Sequence, residues 1–349
     1  MKKCFLAQTK TILAGFLLFA CVMAAFAGNP RTDLADEVKD KGWIAFSARS
    51  PNGSWDLFVM RPDGSDRKAL TDTPEVEEAA PRYSPDGKNL LYRVMKRGTV
   101  LDHDQWGFSG SLVMADWDGS NARKLSDDGG LPWASWSPDG TQIVCLTLKG
   151  ILVVDIATKE VVRTIDRQGI FQQMYWSRDG KWLCGVGNYG GQQWTIMRLD
   201  MESEKVNEIN SFQSCTPDWF ADSQHVIYSC RPSGQPANRG YGFTQLWMAD
   251  AAGGDQKLVY GEDGTHAYGA ALSPDDTYVL FTRCEVDGGG AETAGGSMHL
   301  MRLADAPVIR GRSVALRKVH ASSDIKAGPV LTLPRGWEPH WTYAQLEYE

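Results

Sequence analysis

Long basic stretches are absent from this sequence, and its 36 Lys and Arg residues are outnumbered by 43 Asp and Glu residues. Proteins that bind nucleic acid use clustered basic groups to contact phosphates, so the composition indicates no nucleic-acid partner. The net charge of −7 also disfavours contact with acidic membrane surfaces or with polyanionic substrates.

The cysteines are too few, and odd in number, for a disulfide framework. Two of the seven cysteines lie within the first 27 residues, which leaves five for the rest of the chain. Cys215 and Cys230 nevertheless lie at equal distances from a predicted turn at Asp222-Ser223. A two-residue turn would place them directly opposite each other, so they are a candidate disulfide, with two packed thiols as the alternative.

Long apolar runs are also missing, apart from one of 15 residues at positions 12–26. Lysines precede this run, and Ala25-Phe26-Ala27 ends it as a small-residue cleavage site. The arrangement predicts a secretory signal peptide over residues 1–27, without a transmembrane span, and a periplasmic or extracellular mature protein. Leu18-Phe19-Ala20-Cys21 resembles a lipoprotein box, so a lipid anchor at Cys21, as in an outer-membrane lipoprotein, is the alternative.

The abundant residues are 13 Trp and 36 Gly, a combination that favours an all-β protein with many turns. The stretch APRYSPDGKNLLYRV at 80–94 shows how such a protein is built. Pro85 suits the second position of a turn, Asp86 can accept a backbone hydrogen bond, and Gly87 can adopt the left-handed conformation. Alternating residues on either side complete a predicted β-hairpin.

This hairpin pattern occurs five times. The copies are centred on aspartates 53, 40, 43 and 53 residues apart, namely Asp86, Asp139, Asp179, Asp222 and Asp275. Such periods are typical of arrays of small supersecondary units. Glycine follows the first three aspartates, whereas Ser223 and Asp276 follow the last two. Because serine tolerates positive φ less well than aspartate, we expect the Asp222-Ser223 turn to differ in geometry.

A second strand-turn-strand pattern alternates with the hairpins and occurs six times, for example DLFVMRPDGSDRKALT and SLVMADWDGSNARKLS. Four-stranded antiparallel units repeated in this way predict a β-propeller. Six outer pairs and five inner hairpins leave one inner strand missing from the first unit. The segment Trp337–Thr342 resembles the start of an inner hairpin, so we expect the C-terminal strand to close the ring. The prediction is an all-β, six-bladed propeller over residues 43–349, after a lead-in at 28–42.

The W-S-P-D-G hairpins and L-x-x-M-x-x-D-G outer strands resemble the WD-like repeats of TolB-type propellers over residues 43–343. The resemblance implies a periplasmic location and binding to partner proteins. TolB itself carries an α/β domain before its propeller, and only residues 28–42 are present in that position here. The chain also has no G-x-S-x-G motif of the kind found in propeller peptidases. The resemblance therefore predicts the fold more directly than any one function.

Strand alternation places the short hairpin turns on one face of the propeller and the long connections at 96–111, 231–245 and 284–299 on the other. Long, varied loops commonly bind ligands, so the long-loop face is the predicted ligand-binding face. Its candidate contact residues are Asp102, Asp104, Trp106 and Tyr241. The predicted partner is a protein, peptide or glycan outside the cytoplasm, and the predicted role is non-catalytic.

The alternative is a carbohydrate lyase or hydrolase with histidines and carboxylates at the channel mouth. Its candidate residues are His103, His266, His340 and Arg231, because lyase chemistry on uronic acids needs a base and a cationic group or metal beside the substrate carboxylate. A metal would need about three ligands that converge, and nothing in the spacing forces these residues together. Neither a metal nor another cofactor is therefore predicted.

Overall fold

The architecture is known from a computed structural model, which describes residues 30–101, 107, 109–210, 213–231, 237–238, 241–242, 244–262, 265–285, 296–307 and 328–348. Six four-stranded antiparallel sheets form the blades of a propeller. In each blade the inner strand lies at one end of the hydrogen-bonded order, and the strand at the other end forms the outer rim. The predicted six-bladed propeller is confirmed.

The first blade is assembled from both ends of the described chain. Its strands, from the axis outward, are β26 (Trp337–Thr342), β1 (Trp43–Arg49), β2 (Trp55–Met60) and β3 (Lys68–Ala69). Strand β26 runs antiparallel to β1, with Ile44 opposite Trp341 and Ala45 opposite His340. The C-terminal strand therefore closes the ring, as the missing inner strand predicted.

The second to fourth blades follow the chain in order. The second contains β4 (Val76–Tyr83), β5 (Asn89–Lys96), β6 (Ser111–Asp116) and β7 (Arg123–Lys124). The third contains β8 (Ser135–Trp136), β9 (Gln142–Thr147), β10 (Gly150–Asp155) and β11 (Val161–Ile165). The fourth contains β12 (Ile170–Trp176), β13 (Trp182–Tyr189), β14 (Gln192–Asp200) and β15 (Val206–Asn210).

The last two blades have the same order. The fifth contains β16 (Ser214–Trp219), β17 (His225–Cys230), β20 (Gln245–Asp250) and β21 (Lys257–Tyr260), with a separate ribbon of β18 (Ala237–Asn238) and β19 (Tyr241–Gly242). The sixth contains β22 (Thr265–Leu272), β23 (Tyr278–Glu285), β24 (Ser297–Arg302) and β25 (Val330–Arg335). A 3₁₀ turn at Leu303–Asp305 follows β24.

The hydrophobic core lies between neighbouring blades. At the seam of the first and sixth blades it includes Phe46, Leu280 and Trp341. A helix, α1 (Pro30–Val38), inserts the fully buried Leu34 and Val38 into the same seam. In the described part of the chain, no helix is long and apolar enough to cross a membrane.

The hairpin turns have the geometry that their sequence predicts. In the second blade, Ser84 Oγ donates a hydrogen bond of 2.6 Å to Asp86 Oδ1, and the Lys88 N–H donates to the same oxygen. The Gly87 N–H donates to Ser84 O at 2.8 Å. The two hydrogen bonds to Asp86 Oδ1 lower the pKa of Asp86 against the opposing effect of burial, because they favour its charged form.

Candidate functional site

A cavity of about 130 Å³ lies at the end of the central channel where the inner hairpin turns are found. All six blades line this channel-mouth cavity. Each contributes the residue that precedes the last aromatic or leucine of its inner strand. In blade order from the first, these residues are His340, Arg82, Ser135, Tyr175, Asp218 and Ala271.

A backbone bulge that recurs in the inner strands orients these side chains toward the cavity. The residue two positions earlier has positive φ in every inner strand, namely Glu338, Ala80, Trp133, Gln173, Thr216 and Gly269. Strand pairing shifts register at this point, for example between Ala79 and Arg82 and between Cys215 and Asp218. A bulge bends its strand and redirects the next side chains, which explains how unlike residues come to face one cavity.

An ion pair inside the cavity joins the first and second blades. Arg82 Nη2 contacts Glu338 Oε2, and Arg82 Nη1 donates to the Glu338 carbonyl at 3.0 Å. Arg82 Nη2 lies 3.4 Å from the Tyr175 hydroxyl of the fourth blade. Burial by itself lowers the pKa of Arg82, but the neighbouring Tyr175 and Glu338 more than offset that effect and raise it. Arg82 therefore stays charged and connects three blades across the channel.

The other side of the cavity presents a histidine and a carboxyl. His340 Nδ1 accepts a hydrogen bond of 3.2 Å from the Tyr83 N–H, so the neutral ring carries its proton on Nε2. Burial, with Arg82 and Arg178 nearby, lowers the pKa of His340 well below its ordinary value. Burial raises the pKa of Asp218, and the nearby Arg178 partly counteracts that rise. The cavity thus combines hydrogen-bond donors and acceptors rather than charge of one sign.

The opposite, long-loop end of the inner strands contains both apolar and polar buried residues, with Glu77 and Glu78 of β4 and His266 of β22 among the polar ones. Trp337 at the start of β26 and Trp55 at the start of β2 are buried, with ring centroids 6.2 Å apart. Leu101 and Trp133 belong to the same buried cluster, which draws residues from five blades. The channel-mouth cavity lies at the other end of the inner strands, among the short hairpin turns.

The candidate lyase residues that the structure describes do not come together. His266 is buried at the start of β22, where its Nδ1 lies 2.5 Å from Thr244 Oγ1 and its ring stacks on Tyr268. His340 occupies the position equivalent to Ala271, which lies five residues beyond His266 on β22. Five residues of a strand span about 15 Å, so His266 and His340 lie at different heights along the channel. Arg231 follows β17 and donates to Gln213 Oε1 at 2.9 Å.

Within the described ranges, no group of three or more His, Cys, Asp or Glu residues is arranged to hold a metal. The predicted residues Asp102, His103, Asp104 and Trp106 lie outside the described residues, as do residues 1–27 with Cys21. Tyr241 lies in the β18–β19 ribbon, paired with Asn238, and its side chain is not described. Binding at the long-loop face therefore stays a prediction.

The expected opposition of the two candidate disulfide cysteines is wrong. Cys215 lies opposite Ser229, and Cys230 lies opposite Ser214. Neighbouring residues of a strand point to opposite faces, so the two cysteines lie on different faces of the sheet. The inner-strand bulge changes the register that a simple two-residue turn predicts.

Sequence reasoning identified His340 as a channel residue but missed Arg82, Tyr175, Asp218 and Glu338. The signal that could have found them is position. Each blade's cavity residue lies at the same distance before the hairpin turn, so an alignment of the six inner strands places them in one ring. Nothing in their side-chain chemistry reveals this, because the six residues belong to six different types.

No family model and no curated protein sequence matches the chain. Among solved structures, it is similar to TolB from Acinetobacter baumannii, with 18% identity, a TM-score of 0.62, and coverage of 87% of this chain and 67% of that chain. A chain of a nidogen/laminin complex aligns with 12% identity and a TM-score of 0.54, over 83% of this chain and 97% of that chain.

An oligogalacturonate lyase from Vibrio parahaemolyticus aligns with 13% identity and a TM-score of 0.45, over 77% of this chain and 73% of that chain. That likeness is too distant to support an argument about chemistry. Identities this low show the fold alone, and the repeats, the six blades and the closing strand agree with it. The chain is therefore a six-bladed β-propeller whose fold is similar to that of TolB.

Proposed function

We propose that this protein is an exported, non-catalytic binding or scaffold propeller whose ligand is a protein, peptide or glycan outside the cytoplasm. The observation that carries the proposal is the channel-mouth cavity, to which all six blades contribute one equivalent residue. A cavity of this kind offers polar groups on a rigid frame, as binding sites commonly do. The signal-peptide pattern at residues 1–27 supports the location.

The polar groups of the cavity favour binding over catalysis. Arg82 is engaged by Glu338 and Tyr175, and burial raises the pKa of Tyr175 to about 12 despite the nearby Arg82. His340 is a neutral donor through Nε2, because its Nδ1 accepts from the Tyr83 backbone. Arg82, Tyr175 and His340 are thus arranged to hold a ligand by hydrogen bonds.

The test is capture of partners from native envelope extracts by the immobilised mature protein and two variants. Ala271→Tyr places a large side chain in the cavity, whereas Ser203→Tyr makes the same aromatic addition in an exposed turn between β14 and β15. We expect the wild type and Ser203→Tyr to retain the same partner. Ala271→Tyr should retain at least tenfold less, with an unchanged circular dichroism spectrum.

The variant Trp106→Ala distinguishes binding in the cavity from binding at the predicted long-loop face. Loss of the partner through Trp106→Ala, with full retention by Ala271→Tyr, would place the contact on the long loops and contradict the role of the cavity. Equal retention by every variant would contradict both sites. Turnover of oligogalacturonides by the purified protein, abolished by His340→Ala, would favour the carbohydrate lyase alternative instead.

A further inference from the structure

The inner hairpin turns form a ring in which each turn contacts its neighbour. The fourth residue of each turn has positive φ, including 74° at Gly87, 56° at Ser223 and 57° at Asp276. A side chain built at Gly140 would contact Pro85 of the preceding turn, and one at Gly87 would meet Ala344. The fourth position therefore faces the preceding blade.

Two blades use this position for a side-chain link. Ser223 Oγ accepts a hydrogen bond of 3.0 Å from the Asp179 N–H of the fourth blade. Asp276 Oδ2 accepts one of 2.8 Å from the Ala221 N–H of the fifth blade. The first link joins neutral groups, whereas the second depends on a carboxyl group that can gain or lose a proton.

Further charged groups surround the link at the seam of the fifth and sixth blades. Asp222 and Asp218 of the fifth blade and the cation Arg178 of the fourth blade interact electrostatically with Asp276. Asp222 is itself paired with His225, at 2.6 Å from its Nδ1. In the same turn, Asp275 accepts a hydrogen bond of 2.8 Å from the Tyr343 hydroxyl.

Asp218 forms a second, longer contact across this seam. Its Oδ2 lies 3.4 Å from the Leu272 N–H of the sixth blade, and its side chain lines the channel-mouth cavity. Two carboxyl groups, those of Asp276 and Asp218, thus accept backbone hydrogen bonds across one seam. Asp222 and Asp218 both act electrostatically on Asp276, and like charges that interact in this way disfavour ionisation of all of them at once.

We propose that the seam between the fifth and sixth blades is a proton-sensitive latch, with Asp276 protonated and firmly seated in mildly acidic medium and charged and repelled at neutral pH. A protonated carboxyl group still accepts the hydrogen bond from the Ala221 N–H through its carbonyl oxygen, so protonation does not break the link. Ionisation strengthens the hydrogen bond from the Ala221 N–H, but the cost of burying the charge and the repulsion from Asp222 and Asp218 outweigh that gain and loosen the turn. The latch borders the channel mouth, but its test needs no ligand and is independent of the proposed function.

The direction of the pH effect follows from the pKa of Asp276, which burial and the neighbouring Asp222 and Asp218 raise to about 6. A carboxyl whose pKa is higher in the folded state contributes stability that is complete below its ordinary pKa of 3.8. That stability is lost as the pH rises through about 6. The seam is therefore tighter at pH 4.5 than at pH 7.5.

The experiment compares the full mature chain with Asp276→Asn, which keeps an acceptor oxygen and tolerates positive φ but carries no charge. Carboxyl-carbon NMR of protein labelled at aspartate should show one resonance with a midpoint near 6 that is missing from the variant. Hydrogen exchange at Ala221 should show more opening at pH 7.5 than at pH 4.5 in the wild type, after correction for intrinsic rates. Asp276→Asn should show equal opening at both.

Asp276→Gly serves as the second variant, because glycine occupies the same position in three other turns. It should remove the acceptor without backbone strain and leave Ala221 open at both pH values. The Gly87 turn, which has no carboxyl at its fourth position, is the internal control. An Asp276 midpoint below about 4.5, or the same pH response of Ala221 in wild type and Asp276→Asn, would overturn the proposal.

Discussion

At the residue scale, the fourth position of the hairpin turns shows how a local preference is overridden. Serine at position 223 was expected to change the turn, yet Ser223 has φ of 56°, close to the 57° of Asp276. The expectation was wrong because it considered the turn alone. The hydrogen bond from the Asp179 N–H to Ser223 Oγ offsets the cost of the left-handed conformation, and that partner lies 44 residues away.

Two glycines in the same conformation provide a matched pair for measuring neighbour contacts. Gly87 and Gly140 have φ of 74° and 71°, so alanine should cost about 1 kcal/mol in strain at each. At Gly87, however, a Cβ would lie 2.4 Å from Ala344 Cβ, whereas at Gly140 its nearest neighbour is Pro85 at 3.6 Å. We therefore expect Gly87→Ala to lower the free energy of unfolding by about 1–3 kcal/mol more than Gly140→Ala.

Urea denaturation of both variants measures this difference. The slope of the transition should stay unchanged, since neither variant alters the surface exposed on unfolding. Equal losses at the two positions would mean that the C-terminal segment after β26 does not rest against the second blade's turn.

At the scale of single elements, the bulged inner strand determines the character of the channel. The bulge residues Glu338, Ala80, Trp133, Gln173, Thr216 and Gly269 share no side-chain property. Only one of them is glycine, so the positive φ carries no signature in the sequence. The conformation is imposed by packing of the inner strands around a common axis.

A buried arginine holds the base of one long loop. Arg93 on β5 is 2% exposed and donates to the carbonyls of Ser109, Gly110, Gly130 and Leu131. Burial lowers its pKa to about 10, although Asp128 opposes the shift. The Arg93 guanidinium group thus anchors two segments at once: the long connection of the second blade and the link to the third blade.

Replacing this arginine should destabilise the protein more than replacing an arginine at the surface. We expect Arg93→Met to lower the free energy of unfolding by about 2–4 kcal/mol, since several charge-assisted hydrogen bonds are lost. Arg163→Met is the matched control, because Arg163 forms a half-exposed pair with Glu204 and should cost less than about 1 kcal/mol. Similar losses in thermal or urea unfolding would contradict the anchoring role.

At the scale of the whole molecule, the ring depends on contacts between residues about 300 positions apart. The Trp341 indole N–H donates to the Lys41 carbonyl at 2.7 Å, and that of Trp43 donates to the Leu346 carbonyl at 2.9 Å. The Tyr348 ring then packs edge-on against Trp43 and Trp117, with centroids 4.6 and 4.7 Å away. Strand β26 and the segment after it thus fasten the first blade to the second.

Deleting residues 338–349 should therefore unfold the propeller cooperatively. The deletion removes a buried Trp341 and exposes the inner edges of the first blade. Loss of a buried tryptophan alone costs about 3–5 kcal/mol, which is a large share of the 5–15 kcal/mol that stabilises a typical domain. We expect little folded protein at 25 °C by circular dichroism.

A circular permutant provides the control. A flexible Gly-Ser linker from residue 349 to residue 28 keeps α1 and the segment after β26, with new ends in the exposed turn at Glu202–Ser203. This protein keeps the closing strand but makes the first blade continuous, and it should fold. A truncated chain that melts like the intact one would contradict circular closure.

The sequence by itself determined the number of blades, the hairpin turns and the closing strand, because these depend on local alternation and on turn residues that recur along the chain. The tertiary structure alone decided which side chains line the channel, the register of Cys215 and Cys230, and the link from Ala221 to Asp276. The channel lining and the Ala221–Asp276 link arise where blades distant in sequence meet around one axis, so no local pattern records them. The register of the cysteines follows from the bulge in β16, which has no signature in the sequence.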